Sequence, residues 1–287
     1  MERNENDEYD ALRAAYSHSL NYLARLGGSR VAPQLDRDSL RSRLRRRLSH
    51  EGLPHTQVID ELASEAAGGL ISSAGGRFFG WVIGGTLPAA AAADWLVTTW
   101  DQNAALSACS PAAAIAEEVA GEWLKELLRL PSDCSFAFVT GCQMAHVVCL
   151  AAARQALLLR RNHDVALQGL SGAPAIRILA NENCHASIQR AANLLGVGTA
   201  NIHPLPTNDV GCVEIPAARE AVREQREVAT ILVLQAGDIA TGSYDDFETI
   251  IPLAKANGAW VHIDGAFGLW AAVSERYRHL LRGVEAA

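Results

Sequence analysis

Ala259-Trp-Val-His-Ile-Asp-Gly-Ala-Phe-Gly268 is the stretch whose reading decides the fold. Trp260 to Ile263 is a short apolar, β-branched run of the kind that forms a buried strand, and Gly265 and Gly268 break it just after a carboxylate. Asp264 is therefore predicted at the carboxyl end of a strand. In open α/β sheets ligands bind at that edge, so an acidic group carried there on a rigid element is placed to meet a cation. The plainer role for such an Asp is a turn former or helix cap.

Working back from this strand, the chain alternates. A helix starts at Ser110-Pro111, with Ser as cap, Pro in the first turn and Pro131 as the stop. Ser135 to Val139 reads as a strand, Met144 to Arg161 as a helix, Ala175 to Leu179 as a strand, and His185 to Leu195 as a helix. Ala200 to Leu205 follows as a strand, Pro216 to Glu227 as a helix, Ala229 to Leu234 as a strand, and Asp245 to Asn257 as the helix before the opening strand. Such alternation specifies an α/β fold, a mostly parallel sheet with helices on both faces.

Upstream, Leu12, Tyr16, Leu20 and Leu23 recur at helical spacing between Tyr9 and Leu26. Two more helices are expected, over Asp36 to His50 and Gln57 to Ile71. The first of these carries Arg41, Arg43, Arg45, Arg46 and Arg47 on a basic face opposite Leu40, Leu44 and Leu48. Residues 1–75 are read as an N-terminal helical arm and 76–287 as the ligand-binding domain. Between them, residues 72–105 interleave glycine with aromatic residues. That pattern suits a loop that approaches a ligand, and equally a packed surface loop.

The composition, 49% hydrophobic and 20% charged over 287 residues, is that of a globular protein. A net charge of −7 argues against nucleic acid as partner. The apolar segment Leu87 to Leu96 contains Asp94 and is too short to span a bilayer, so no membrane association is expected. The acidic N-terminus and the irregularly spaced cysteines point to a reducing, cytoplasmic compartment. Only Lys125 and Lys255 are lysines.

Four segment ends bring polar groups to one predicted rim. Thr140-Gly141 opens a helix whose first amides, from Gly141, Cys142 and Gln143, form an anion site of the kind that holds a phosphate, although an ordinary strand-to-helix turn has the same pattern. His185 opens the next helix, as a cap or as a ring that lies against an aromatic ligand. Asp238 and Thr241 occupy a glycine-rich loop, and Asp264 ends the last strand. His262 and Asp264 share a strand face and with Cys184 and His185 are conceivable ligands. With no HExxH and no paired Cys/His spacing, no metal site is expected.

These residues fall in segments that resemble a known family. Arg77-Phe-Phe-Gly-Trp-Val-Ile-Gly-Gly-Thr-Leu-Pro88, Ala93-Asp-Trp95, Trp100-Asp-Gln-Asn103, Phe138-Val-Thr-Gly141, His185-Ala-Ser187 with Leu194-Leu-Gly-Val-Gly198, Ala236-Gly237 with Thr241-Gly242, and His262 to Trp270 together resemble the group II pyridoxal-phosphate-dependent amino-acid decarboxylases, in the family's order. The resemblance implies a fold-type-I large domain, a homodimer formed through the arm, and α-decarboxylation of an L-amino acid. Other reactions of the same fold type, transamination or cysteine desulfuration, and a non-catalytic binding module are the alternatives.

The resemblance also assigns roles. Asp264 pairs with the pyridinium nitrogen of pyridoxal 5'-phosphate. His185 stacks on the ring, and Ala266 packs on its other face. The amides after Thr140-Gly141 hold the phosphate, Asp238 and Thr241 add polar contacts, and the loop containing Phe79, Trp81, Gly84 and Thr86 lies beside the substrate. His146 departs from the family, which commonly has Asn there. The family's Schiff-base lysine follows beyond Ala287, and neither Lys125 nor Lys255 matches it. The chain is thus expected to be a C-terminally truncated decarboxylase that lacks the small domain and is inactive alone.

Overall fold

The computed structural model describes residues 5–224 and 226–287. It separates into two compact units, one ending at Gln102 and the other running from Asn103 to Ala287. The first holds helices α1 (Glu5–Arg25), α2 (Arg37–Leu44), α3 (His55–Ala66) and α4 (Pro88–Trp100). In the second, α5 (Pro111–Leu128), α6 (Cys142–Leu159) and the short α7 (Val165–Gln168) precede β1 (Ile176–Asn181), α8 (Ala186–Leu194) and β2 (Ile202–Leu205). There follow α9 (Ile215–Arg223), β3 (Ala229–Gln235), α10 (Phe247–Ala256) and β4 (Trp260–Asp264).

Within the first unit, His18 Nε2 meets Asp60 Oδ1 at 2.7 Å, joining α1 to α3, and Tyr16 meets Trp95 edge-on at 6.2 Å. The predicted domain boundary after residue 75 lies inside this unit, because α4 packs with the N-terminal helices. Alanine, the best helix former, and Pro88 in the first turn make residues 88–100 a helix where a loop was expected through residue 105. Helix α2 stops at Leu44, short of the predicted His50, and Leu48 is fully exposed. Arg41 and Arg45, and Arg43 and Arg47, are like charges one helical turn apart, which opposes continuation. Arg43 and Arg46 instead reach Glu65 and Glu61 at 3.8 and 3.3 Å.

The second unit is built on a four-stranded sheet of order β2-β1-β3-β4. All three pairings are parallel, with Ile178 opposite Ile202, Ile178 opposite Ile231, and Val233 opposite His262. Alternate residues of each strand feed opposite cores, as the period of two requires. Leu179, Leu232, Leu234 and Val261 pack against Ala218 and Val222 of α9 and Phe247, Ile250 and Ile251 of α10. Ile178, Ala180, Ile231 and Val233 pack against Leu150, Ala153 and Leu157 of α6 and Ile188 and Ala191 of α8. Helix α6 is apolar and long enough to cross a bilayer by composition, but this face is committed to the sheet.

Successive strands step outward from the centre in opposite directions, β1 to β2 on one side and β3 to β4 on the other. Helices α8 and α10, which make those steps, lie on opposite faces. Their loops diverge, leaving a crevice at the carboxyl ends of β1 and β3, the switch point at which such sheets bind ligands.

Ser135 to Val139, predicted as a strand, belongs to no strand of the sheet. Helix α5 holds this segment and the turn before it instead. The Phe136 ring sits over Gly121, where a Cβ would collide with it, and Lys125 Nζ donates to the carbonyls of Ser132 and Cys134 at 2.9 and 3.2 Å. The expected helix from Pro216 to Glu227 is observed as Ile215–Arg223; Gln225, within the predicted range, lies outside the described residues.

The loops leaving β3 and β4 touch backbone to backbone. Gly237 has φ +89°, and a Cβ on it would lie 2.9 Å from Gly268 Cα; one on Gly268 would lie 2.8 Å from the Ala236 carbonyl carbon and 2.6 Å from the Tyr244 hydroxyl. Tyr244 closes the contact by donating to the Gly268 carbonyl at 3.0 Å. Gly268→Ala is expected to destabilise the chain by about 1–3 kcal/mol through overpacking against backbone that cannot yield. Gly85→Ala, with nothing within 4 Å of the new methyl, serves as the neutral control. Equal urea midpoints for the two variants would show that the loops do not constrain each other.

Candidate active site

Asp264 is the last residue of β4, and its side chain is only 12% exposed. Its Oδ1 accepts the Ala266 amide at 3.1 Å, while its Oδ2 lies 3.4 Å from His146 Nε2. Burial raises the carboxyl pKa, but the imidazole of His146, the Ala266 amide and His262 outweigh it, and the net displacement is below the ordinary Asp value. Asp264 is thus held as an anion in a largely dry position.

His146 comes from the first turns of α6 and is buried. Its Nδ1 is 3.0 Å from His262 Nε2, with the rings edge to face. His262 is itself buried, and burial, reinforced by His146 and opposed by Asp264, lowers its pKa to about 4. It is therefore neutral at pH 7. Neutral His262 can donate from Nε2 to His146 Nδ1, which leaves His146 Nε2 facing the carboxylate. Cys142, one helical turn before His146, brings Sγ to 3.5 Å from His146 Nε2. Burial, and next the Asp264 charge, raise its thiol pKa.

The start of α6 differs in detail from the expected anion site. Gly141 has φ +87° and caps the helix, but its own N–H donates to the Val139 carbonyl at 2.8 Å and is not free. Helix geometry leaves the amides of Cys142 and Gln143 without intrahelical acceptors. A Cβ on Gly141 would meet nothing within 4 Å, so there is open space over this turn, and Thr140 is exposed beside it. Gln143 Nε2 donates to the Ser187 carbonyl at 3.2 Å, linking α6 to α8, while its Oε1 is buried without a partner.

His185 caps α8. Its Nδ1 accepts the Ser187 amide at 3.3 Å and lies 2.7 Å from the Ser187 hydroxyl, which fixes the ring while leaving it exposed. Asp238 and Thr241 satisfy each other. Asp238 Oδ1 accepts the amides of Ala240 and Thr241 at 2.8 Å and the Thr241 hydroxyl at 3.1 Å. Burial raises the Asp238 pKa, but those bonds prevail and it lies below the ordinary value. Ala266 stays exposed on the loop after Asp264. In the first unit, Phe79 and Trp81 are 95% and 81% exposed, so neither packs on the arm, and Gly84 and Thr86 follow on the same exposed loop.

Of the ligands considered for a metal, His262 and Asp264 do converge. The groups that join them are His146 and Cys142 rather than Cys184 and His185. The signal was in the sequence: Cys142 and His146 are four apart at a helix start and share one face. Neither lysine is near. Lys125 Nζ is bound to the carbonyls of Ser132 and Cys134, and Lys255 Nζ donates to the Ala286 carbonyl at 2.7 Å.

Residues 38–287 match the pyridoxal-dependent decarboxylase conserved domain. Tryptophan decarboxylase 1 of Oryza sativa subsp. japonica is 27% identical over 300 residues, spanning 98% of this chain and 57% of its own length. The acidic amino acid decarboxylase of Mus musculus is 32% identical over 136 residues, 45% of this chain and 24% of its own. The solved structure of Oryza sativa TDC with PLP and tryptamine superposes with a TM-score of 0.88 at 24% identity, covering 100% of this chain and 60% of that one. Mouse CSAD in apo form gives 0.87 at 20% identity, covering 97% and 59%. The chain spans 57% of the tryptophan decarboxylase, and the likeness in structure gives it the fold-type-I architecture of these enzymes. By the match over most of its length, the chain belongs to the pyridoxal-dependent decarboxylase family.

Proposed function

We propose that these residues form the cofactor-binding body of a pyridoxal-phosphate-dependent decarboxylase that converts an L-amino acid to its amine. The observation that carries this reading is the anionic, largely buried Asp264 at the carboxyl edge of the sheet, backed by His146 and His262. The donor set fits the cofactor. Asp264 offers a fixed negative charge to a protonated ring nitrogen, the amides of Cys142 and Gln143 face open space suited to a phosphate, and His185 presents an immobilised imidazole. When bound, pyridoxal phosphate supplies the electron sink that decarboxylation needs. The chain's part is to keep that sink strong, because Asp264 holds a proton on the ring nitrogen that an uncharged residue would release.

Both lysines are engaged with backbone carbonyls elsewhere, so the role of these residues is to bind and orient rather than to supply the amine that anchors the cofactor. Decarboxylation is assigned to the whole protein. The exposed loop with Phe79, Trp81, Gly84 and Thr86 is the candidate for substrate selection, and an apolar or aromatic amino acid suits it. The half-exposed stripe Tyr9, Leu12, Tyr16, Leu20 and Leu23 on α1 supports a homodimer formed through the arm. A cytoplasmic location accords with six free cysteines.

Asp264→Asn is expected to weaken pyridoxal phosphate binding by about tenfold or more, equivalent to about 1.4 kcal/mol. Fluorescence titration of the 287-residue chain reads this directly, and unchanged affinity removes the pyridinium role. His185→Asn keeps a good helix cap but deletes the imidazole. Weaker cofactor binding with an unchanged unfolding midpoint supports stacking; unchanged binding leaves only the cap. Leu12→Asp combined with Leu23→Asp is expected to convert a dimer to monomer in sedimentation analysis, and a dimer that persists in the double variant excludes the α1 stripe as its interface.

A further inference from the structure

The basic run that closes α2 takes no part in the rim. Helix α2 stops at Leu44, so Arg45, Arg46 and Arg47 enter a segment that is neither helix nor strand until α3 starts at His55. Every residue from 41 to 55 is exposed, and Leu48 fully so. Among the described residues, no backbone-to-backbone hydrogen bond involves residues 46–53. The Glu51 amide donates to Ser49 Oγ at 3.1 Å, so the hydroxyl acts there as acceptor and keeps its own proton uncommitted.

Charge is concentrated just before that hydroxyl. Arg46 reaches Glu61 at 3.3 Å, an exposed pair that contributes little and yields readily, and Arg45 and Arg47 have no ion pair among the described residues. Ser49 is the only serine or threonine of the chain with arginine both two and three places before it. A protein kinase takes its acceptor hydroxyl on an extended, accessible segment. Kinases directed by arginine read guanidinium groups at those two places with carboxylates, which the planar fork of arginine matches in a bidentate fashion.

We propose that Ser49 is a phosphorylation site for an arginine-directed protein serine kinase, with Arg46 and Arg47 as the groups it recognises. The phosphoryl donor is the magnesium complex of ATP. Ser49 Oγ bonds to the γ-phosphorus as the bond from that phosphorus to the β,γ-bridging oxygen breaks, ADP leaves, and the hydroxyl proton passes to the kinase's catalytic Asp. The product places a charge of about −2 in the midst of Arg45, Arg46 and Arg47, where phosphate oxygens accept charge-assisted hydrogen bonds. It competes with Glu61 for Arg46, so a tie from this segment to α3 is exchanged for one within the segment. The site lies in the first unit and does not depend on the cofactor reading.

The test incubates the full 287-residue chain with the catalytic subunit of cyclic-AMP-dependent protein kinase and magnesium ATP, and reads phosphate by intact mass and peptide fragmentation. The expected result is one phosphate per chain, on Ser49, and none in Ser49→Ala. Arg46→Gln combined with Arg47→Gln should slow incorporation by at least about tenfold. Arg41→Gln combined with Arg43→Gln removes the same charge from the same run and should leave the rate within about twofold of the unsubstituted chain. No incorporation, phosphate on another residue, or equal slowing by the two double variants each overturns the proposal. A peptide of residues 43–52 that is phosphorylated while the folded chain is not overturns it as well, because the segment is then not accessible in the protein.

Discussion

A carboxylate that is 12% exposed must find compensation or take up a proton, and the site depends on how Asp264 meets that demand. One oxygen is met by the backbone of its own loop, through Ala266, and the other faces an imidazole that a second imidazole holds in place. The second imidazole works because it is uncharged. A cationic His262 would compete with His146 for the field of Asp264, and burial instead lowers its pKa to about 4. The same withdrawal from water that raises the acid's pKa keeps its support neutral, and the bonds from Ala266 and His146 keep the acid charged.

That arrangement follows from the sheet. Residues 260–264 alternate, so Val261 points into the core with α9 and α10, while His262 and Asp264 point toward α6. Helix α6 is anchored through Leu150, Ala153 and Leu157, and this fixes where its first turn, with Cys142 and His146, can stand. The loop after β4 is pinned in turn by the close approach of Gly237 and Gly268, with Tyr244 bonded across it. Sheet packing, helix anchoring and glycine contact therefore act on a few side-chain atoms at one rim.

Strand and helix alternation was readable because the strand runs are mostly apolar, as a sheet covered on both sides demands. The position of Asp264 followed from the glycines after it. His146 was legible as a departure from the family's usual Asn and as a residue one helical turn after Cys142, but nothing local reveals that residues 146 and 262 face each other across a helix and a strand. Ser135 to Val139 carried a strand pattern, yet its pairing depends on neighbours, and α5 claims the Phe136 ring and, through Lys125, the carbonyls of Ser132 and Cys134 just before it. The segment before Trp100 was misread because glycine and aromatics outweighed alanine in the reading, whereas the backbone follows alanine and a first-turn proline. Gly141 shows the finer limit: its positive φ suits an anion turn, but the same turn folds its amide back onto Val139.

The distribution of basic residues separates holding from reacting. Arginine does not lose its charge near neutral pH and cannot act as an amine nucleophile, whereas lysine can. With Lys125 and Lys255 both tied to backbone carbonyls, the groups assembled around Asp264 are an anion, imidazoles, a thiol and helix amides. These groups stand at fixed separations because β4 and α6 are both bound to the same sheet. Neither of the two lysines is placed among them. The loop of Phe79 and Trp81 is exposed, and an exposed loop can vary in sequence at little cost to packing.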